Sequence, residues 1–132
     1  MKKLRLKSDL DEFHVLLTRI HEDKPIIIVE GKKDRDALLA LGCTGILTLW
    51  KKALFEVVEE VVKTGQSCII LTDLDPEGRK LFAYLYRHLQ HHGVICDNSL
   101  REFLFRTPVR QIETLPQWMR KESVQKWERM EL

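Results

Sequence analysis

Proline, glycine and cysteine are all scarce, at four, six and three residues in a chain of 132. With no Pro/Gly-rich tract, low-complexity segment or internal repeat, the sequence is neither fibrous nor linker-like. Cys43, Cys68 and Cys96 are odd in number, widely spaced and form no CxxC. That argues against a disulfide framework and against a structural zinc site. Cys68, inside an apolar run, reads as a small buried hydrophobe. No apolar run approaches the roughly 18 residues of a membrane helix. The basic start, MKKLRLKSDLDEF, lacks the apolar stretch of a secretory signal, so the expected compartment is the cytoplasm. A dominant charge is also missing, since the net charge is only +2. Its distribution is uneven. Residues 1–7 carry four bases (Lys2, Lys3, Arg5, Lys7) and no acid, whereas residues 8–100 carry fifteen acids against eleven bases. Residues 101–132 turn basic again. Such ends are either solubilising faces or a phosphate-tracking edge.

What is present is the material of one globular domain: 44% hydrophobic and 32% charged residues. Leu10, Phe13, Leu17 and Ile20 recur at helical spacing over residues 9–22, with Ser8 placed to cap and Pro25 to stop the helix. Ile26 to Val29 are four consecutive β-branched residues, a strand buried on both faces. DRDALLALG reads as a short helix with Asp34 as N-cap and Gly42 as its stop, and GILTLW as a second strand. Leu54, Val57, Val58, Val61 and Val62 form an amphipathic helix ended by Gly65. SCIILTD is a third strand. Leu81, Phe82, Leu85 and Leu89 mark a helix ended by Gly93, and VIC is a short fourth strand. This alternation predicts an α/β fold: three layers, a mostly parallel four-stranded sheet, and helices on both faces. The expected core spans about residues 24–98, flanked by the helix 9–22 and a helical extension over 99–132. Within that extension LREFLF and residues 117–130 are candidate helices, broken by Pro108 and Pro116. Trp118 and Trp127 are expected to pack on the body rather than stack on nucleic-acid bases.

In open α/β sheets ligands gather at the carboxyl ends of the strands, and here that edge is acidic twice. Strand one ends at Glu30, followed by Gly31, Lys32, Lys33 and Asp34. Strand three ends at Asp73, followed by Leu74, Asp75, Pro76, Glu77 and Gly78. If these strands are neighbours, Glu30 faces the aspartate pair. Three carboxylates at one edge repel one another, raising a pKa unless a cation intervenes. Oxygen-only ligands suit Mg²⁺ or Mn²⁺ rather than zinc. Capping serves equally well on spacing alone: Asp73 and Asp75 can cap the next helix, and Asp34 and Glu77 sit where helix N-termini favour carboxylates. Lys32 and Lys33 are either phosphate contacts or solvated loop lysines. Arg79 could share a phosphate with the helix amides after Gly78. Gly31 and Gly78 are expected to permit close backbone approach or an unusual φ. His88, His91 and His92 end a helix, where they suit its dipole better than a metal.

Residues 26–38, IIIVEGKKDRDAL, and 69–81, IILTDLDPEGRKL, resemble the two signature stretches of the Toprim family. That family includes type IA and type II topoisomerases, bacterial primases, RecR-type repair proteins and the 5S rRNA maturation ribonucleases. DLDPEG is similar to the type IA topoisomerases, and VEGKKDRDAL to the ribonuclease and other small stand-alone Toprim proteins. The resemblance implies a Toprim (Rossmann-like) fold. It implies Asp73 and Asp75 as Mg²⁺ ligands, joined by Glu30, which also serves as general acid or base. The tyrosine-bearing domain of topoisomerases and the zinc module of primases have no counterpart here, and Tyr84 and Tyr86 read as packing or surface residues. The expected function is therefore Mg²⁺-dependent phosphodiester chemistry on RNA or DNA, that of a small nuclease. Lys33 would assist Glu30, Lys32 and Arg79 would bind phosphate, and Gly31, Asp34, Glu77 and Gly78 would support the site. The alternative is a non-catalytic nucleic-acid-binding or assembly module of a repair or RNA-processing complex, working with a protein partner or as a homo-oligomer. A receiver domain fits poorly, because its adjacent acids after strand one are replaced by Glu-Gly-Lys-Lys.

Overall fold

The structure, a computed structural model, describes residues 8–130. Lys2, Lys3, Arg5 and Lys7 of the basic N-terminal run lie outside them. Helix α1 (Asp9–Asp23) begins where the Ser8 side chain accepts the Asp11 amide, and it ends at left-handed Lys24, φ 48°. Leu10, Phe13, Leu17 and Ile20 are its buried face, as the spacing predicts. Strands β1 (Ile26–Val29), β2 (Ile46–Thr48) and β3 (Cys68–Ile70) form a sheet of order β2-β1-β3, parallel throughout. Between them run α2 (Lys32–Ala40) and α3 (Leu54–Thr64), and α4 (Pro76–His91) follows β3.

The two faces of the central strand feed separate cores. Ile27 and Val29 pack with α1, α2 and the C-terminal helices, whereas Ile28 packs with Val57, Val58 and Val61 of α3 and with Leu85 and Leu89 of α4. The result is the three-layer arrangement expected of a parallel sheet covered on both sides. Each fully buried isoleucine of β1 contributes roughly 1.5–3 kcal/mol of apolar burial.

The sheet has three strands among the described residues, not four. The predicted VIC strand makes a single parallel bridge, Cys68 opposite Cys96. Its hydrogen bonds are Cys68 N–H to Ile95 O at 2.9 Å and Asp97 N–H to Cys68 O at 3.0 Å. The segment is caught between left-handed Gly93 and Asp97, whose carboxylate accepts the Ser99 amide at 2.9 Å and turns the chain into the next helix. Too few residues remain to build a ladder.

That next helix is α5 (Ser99–Phe105), followed by a 3₁₀ turn (Ile112–Thr114) and α6 (Leu115–Met130). Pro116 does not precede α6 but lies in its first turn, where a missing N–H is harmless. Trp118 packs edge-on against Phe13 and Phe103. Trp127, expected to pack likewise, is 67% exposed. Lys126 and Arg106 tie the segment to α1 through Asp11 at 2.7 Å and Glu12 at 2.6 Å. No helix of the described residues is long and apolar enough to cross a membrane.

Candidate functional site

Parallel pairing brings β1 beside β3, so the two acidic strand ends meet at one edge. Glu30 is the first residue after β1. Its Oε2 accepts the Asp73 backbone N–H at 2.7 Å, a bond across 43 residues of sequence. Glu30 thus lies beside Asp73, and its side chain holds the Asp73 carboxyl down against the effect of burial. Burial pushes the Glu30 carboxyl above its ordinary range. The Asp73 amide opposes that shift, while the charges of Asp73, Asp75 and Asp34 add to it. Burial, with Asp75 and Glu113 nearby, likewise raises Asp73.

The remaining acids divide between the two readings left open by spacing. Asp75 is the N-cap of α4 and accepts the Gly78 amide at 2.7 Å. Asp73 caps nothing; its Oδ1 accepts the Ile112 amide of the 3₁₀ turn at 3.0 Å. Asp34 is not the N-cap of α2. Gly31 holds that position, and Asp34, one turn in and 7% exposed, reaches back to accept the Gly31 amide at 3.1 Å. Burial and the Asp73 charge raise its carboxyl too. Glu30, Asp73 and Asp75 thus each commit one oxygen to a backbone amide, which orients it and leaves the other oxygen outside those bonds. Among the described residues no three His, Cys, Asp or Glu side chains are gathered into a metal-enclosing group. Glu30 and Asp73 are in contact, and Asp34 and Asp75 lie within electrostatic range of them.

Glu30, Asp34, Asp73 and Glu113 line an open cleft of about 460 Å³ together with Gly31, Lys32, Lys33 and Trp50. Lys32 and Lys33 are exposed at the start of α2. Arg79 is outside this cleft, its guanidinium 5.3 Å from the Phe105 ring, and Glu77 is exposed in the first turn of α4. The two glycines behave differently. A Cβ on Gly78 would sit 1.9 Å from the Asp73 carbonyl oxygen, so α4 approaches the acidic loop as only glycine allows. Gly31 has an extended φ of −145° and would meet nothing within 4 Å, so neither expected reason for glycine applies there. The Thr72 hydroxyl donates to the Gly78 carbonyl at 2.7 Å and closes the same junction.

Four participants escape sequence reasoning. Arg101 of α5, only 3% exposed, donates to the Thr72 carbonyl at 2.5 Å and to the Asp73 carbonyl at 3.3 Å. Desolvation lowers its pKa, and the acids above it oppose that shift. It lies 4.5 Å from the Phe82 ring and 5.5 Å from that of Phe105. Glu113 and the Ile112 amide come from the extension, where no periodicity points to the site. Trp50 reads as a strand end but stands 51% exposed beside the cleft. The histidines behave as helix-end residues: His88 and His91 occupy the last turn of α4, and His88 lies against Tyr84 at 4.1 Å.

Fold and edge together define a small three-layer α/β protein with a carboxylate-lined cleft at the carboxyl ends of a parallel sheet. The chain belongs to the UPF0292 family. It is 33% identical to the UPF0292 protein of Methanocaldococcus jannaschii over 105 residues, 76% of this chain and 81% of that relative. It is 40% identical to that of Pyrococcus furiosus over 99 residues, 74% and 75% of the two chains. A solved structure described as a putative protein from Aquifex aeolicus superposes with a TM-score of 0.68 at 26% identity, covering 84% of this chain and 98% of that one. No family model matches the chain.

Proposed function

We propose that this chain is a small Toprim-like protein performing Mg²⁺-dependent phosphodiester chemistry on nucleic acid, as a nuclease. The observation that carries this reading is the Glu30–Asp73 pair. Two acids from strand ends 43 residues apart are held together by one hydrogen bond, at the sheet edge where ligands collect. A purely structural edge gains little by packing partly buried carboxylates against one another.

The donor set fits a hydrated Mg²⁺ or Mn²⁺. It is all oxygen, it is short of positive charge, and Glu30, Asp73 and Asp75 each keep one oxygen outside the amide bonds. With no three side chains forming a cage, the match is to an ion bound through one or two carboxylates and otherwise by water and phosphate. Asp73 and Asp75 would hold it, with Glu30 adjoining. When bound, such an ion polarises a phosphate oxygen and offsets the charge that develops on it. Glu30, whose carboxyl pKa is raised by burial, is placed to exchange a proton with an attacking or leaving oxygen. Lys33 and Lys32, beside it at the start of α2, would meet phosphate oxygens, and Arg79 would do so from the α4 side.

The test is incubation of the purified protein with labelled structured RNA, single-stranded DNA and duplex DNA, in Mg²⁺, Mn²⁺ or EDTA. Cleavage is expected only with metal, and to fall by about 10²–10⁴-fold in Glu30→Gln, the range for a lost general acid or base. Asp73→Asn should lose it as well. Binding that persists in both variants without any cleavage would instead support the non-catalytic binding module.

A further inference from the structure

We infer that Trp50, with Lys32 and Lys51, forms a base-stacking platform that admits single-stranded nucleic acid to the acidic cleft. This rests on the phosphodiester reading above and narrows its substrate class.

The loop Trp50–Lys52 follows β2, at the same carboxyl edge as Glu30, and is held there by backbone bonds. Leu49 N–H donates to Val29 O at 2.9 Å, and Lys52 N–H closes a turn on Leu49 O at 3.1 Å. Lys51 adopts the left-handed region, φ 57°, where a non-glycine residue costs energy. The loop buries Leu49 and turns Trp50 out, leaving the indole 51% exposed. A tryptophan is a large apolar surface to leave in water. Two ammonium groups lie over its ring. Lys32 Nζ lies 4.8 Å and Lys51 Nζ 4.4 Å from the ring centroid.

The charge pattern names the occupant. Lys32, Lys33 and Lys51 form no ion pair with any carboxylate of the described residues, although Glu30, Asp34, Asp73 and Glu113 share the cleft with the first two. Lys32 and Lys51 flank the indole, and Lys32 and Lys33 stand exposed where the same cleft holds the partly buried Glu30 and Asp73 and the buried Asp34. A polynucleotide strand matches this pattern: its phosphates neutralise the lysines, and an unpaired base covers the ring. A duplex does not, since its bases are already stacked on one another. An apolar protein surface would leave the three lysines desolvated without counter-charge.

Fluorescence anisotropy in EDTA, with 15-mers of oligouridylate and oligothymidylate and a 15-base-pair duplex, tests this apart from any chemistry. Both single strands should bind more tightly than the duplex by tenfold or more. Trp50→Ala should weaken single-strand binding by about 5- to 100-fold, the effect of one lost base–aromatic stack. Trp50→Phe should stay within about threefold, and Trp127→Ala should not change it. The salt dependence should have a slope of about −2, from three neutralised phosphates. Unchanged affinity in Trp50→Ala, equal affinity for duplex, or no wild-type binding at all would overturn the platform. So would a Trp50→Ala protein that only loses self-association in sedimentation. Trp50-dependent binding without metal-dependent cleavage would keep the platform and remove the nuclease. Glu30-dependent cleavage with normal Trp50→Ala binding would do the reverse.

Discussion

Glu30 illustrates how burial and like charge act on a single side chain. Desolvation, with Asp73, Asp75 and Asp34 alongside, raises its carboxyl pKa in the folded protein. Between the ordinary carboxylate range and the raised value, the folded state therefore binds more protons than the unfolded chain. Glu30's contribution is most favourable on the acid side and is lost as pH rises through that window. Glu30→Gln keeps an oxygen for the Asp73 amide and removes only the charge. Its metal-free Tm should exceed that of the wild type by a few degrees at pH 7, roughly 1 kcal/mol. The gap should close near pH 4, about the ordinary carboxylate value. Thermal melts in EDTA across pH check this, and a pH-independent gap would refute it. Arg101 poses the opposite case, a buried cation whose hydrogen bonds go to two backbone carbonyls. Arg101→Met should cost about 3 kcal/mol, because those carbonyls lose a charged donor; urea denaturation measures it.

At the scale of elements, strands β1 and β3 and the packing faces of α1, α3 and α4 were legible because hydrophobic period and β-branching report burial directly, whereas the pairing of β1 with β3 is a tertiary fact that the sequence left as a condition. Leu10, Phe13, Leu17 and Ile20 fall where the spacing puts them. Glu30, Asp73 and Asp75 were legible as strand-end acids, since strand order in a parallel sheet brings them to one edge. The fourth strand was not: three extended residues look alike whether they build a ladder or make one bridge. The 3₁₀ turn was not legible either, because its part in the site is a main-chain amide, which no side-chain pattern encodes. Gly78 lies between these cases. Its identity was visible, but its reason, the 1.9 Å approach to the Asp73 carbonyl, is a tertiary fact. Gly78→Ala should push α4 from the acidic loop, costing about 3 kcal/mol or more and abolishing metal binding. A Gly31→Ala control, with open space around it, should change stability far less, as parallel melts would reveal.

Across the whole molecule, a metal that binds the folded chain as proposed should add to its stability by mass action. At 100 times its Kd, Mg²⁺ should raise unfolding stability by about 2.7 kcal/mol. Asp73→Asn should lose most of that gain while remaining folded, a difference that calorimetric melts with and without metal would resolve. The Ile112 amide matters at this scale as well. Asp73 leans on a donor that the chain supplies 39 residues later. A product cut short before Ile112, or still threaded through a ribosome, can therefore carry β1, β3, Glu30, Asp34, Asp73 and Asp75 and yet hold Asp73 unclamped. The cleft is finished only once the chain has been made as far as Ile112 and Glu113, and a truncation that removes them amputates part of it rather than trimming a tail.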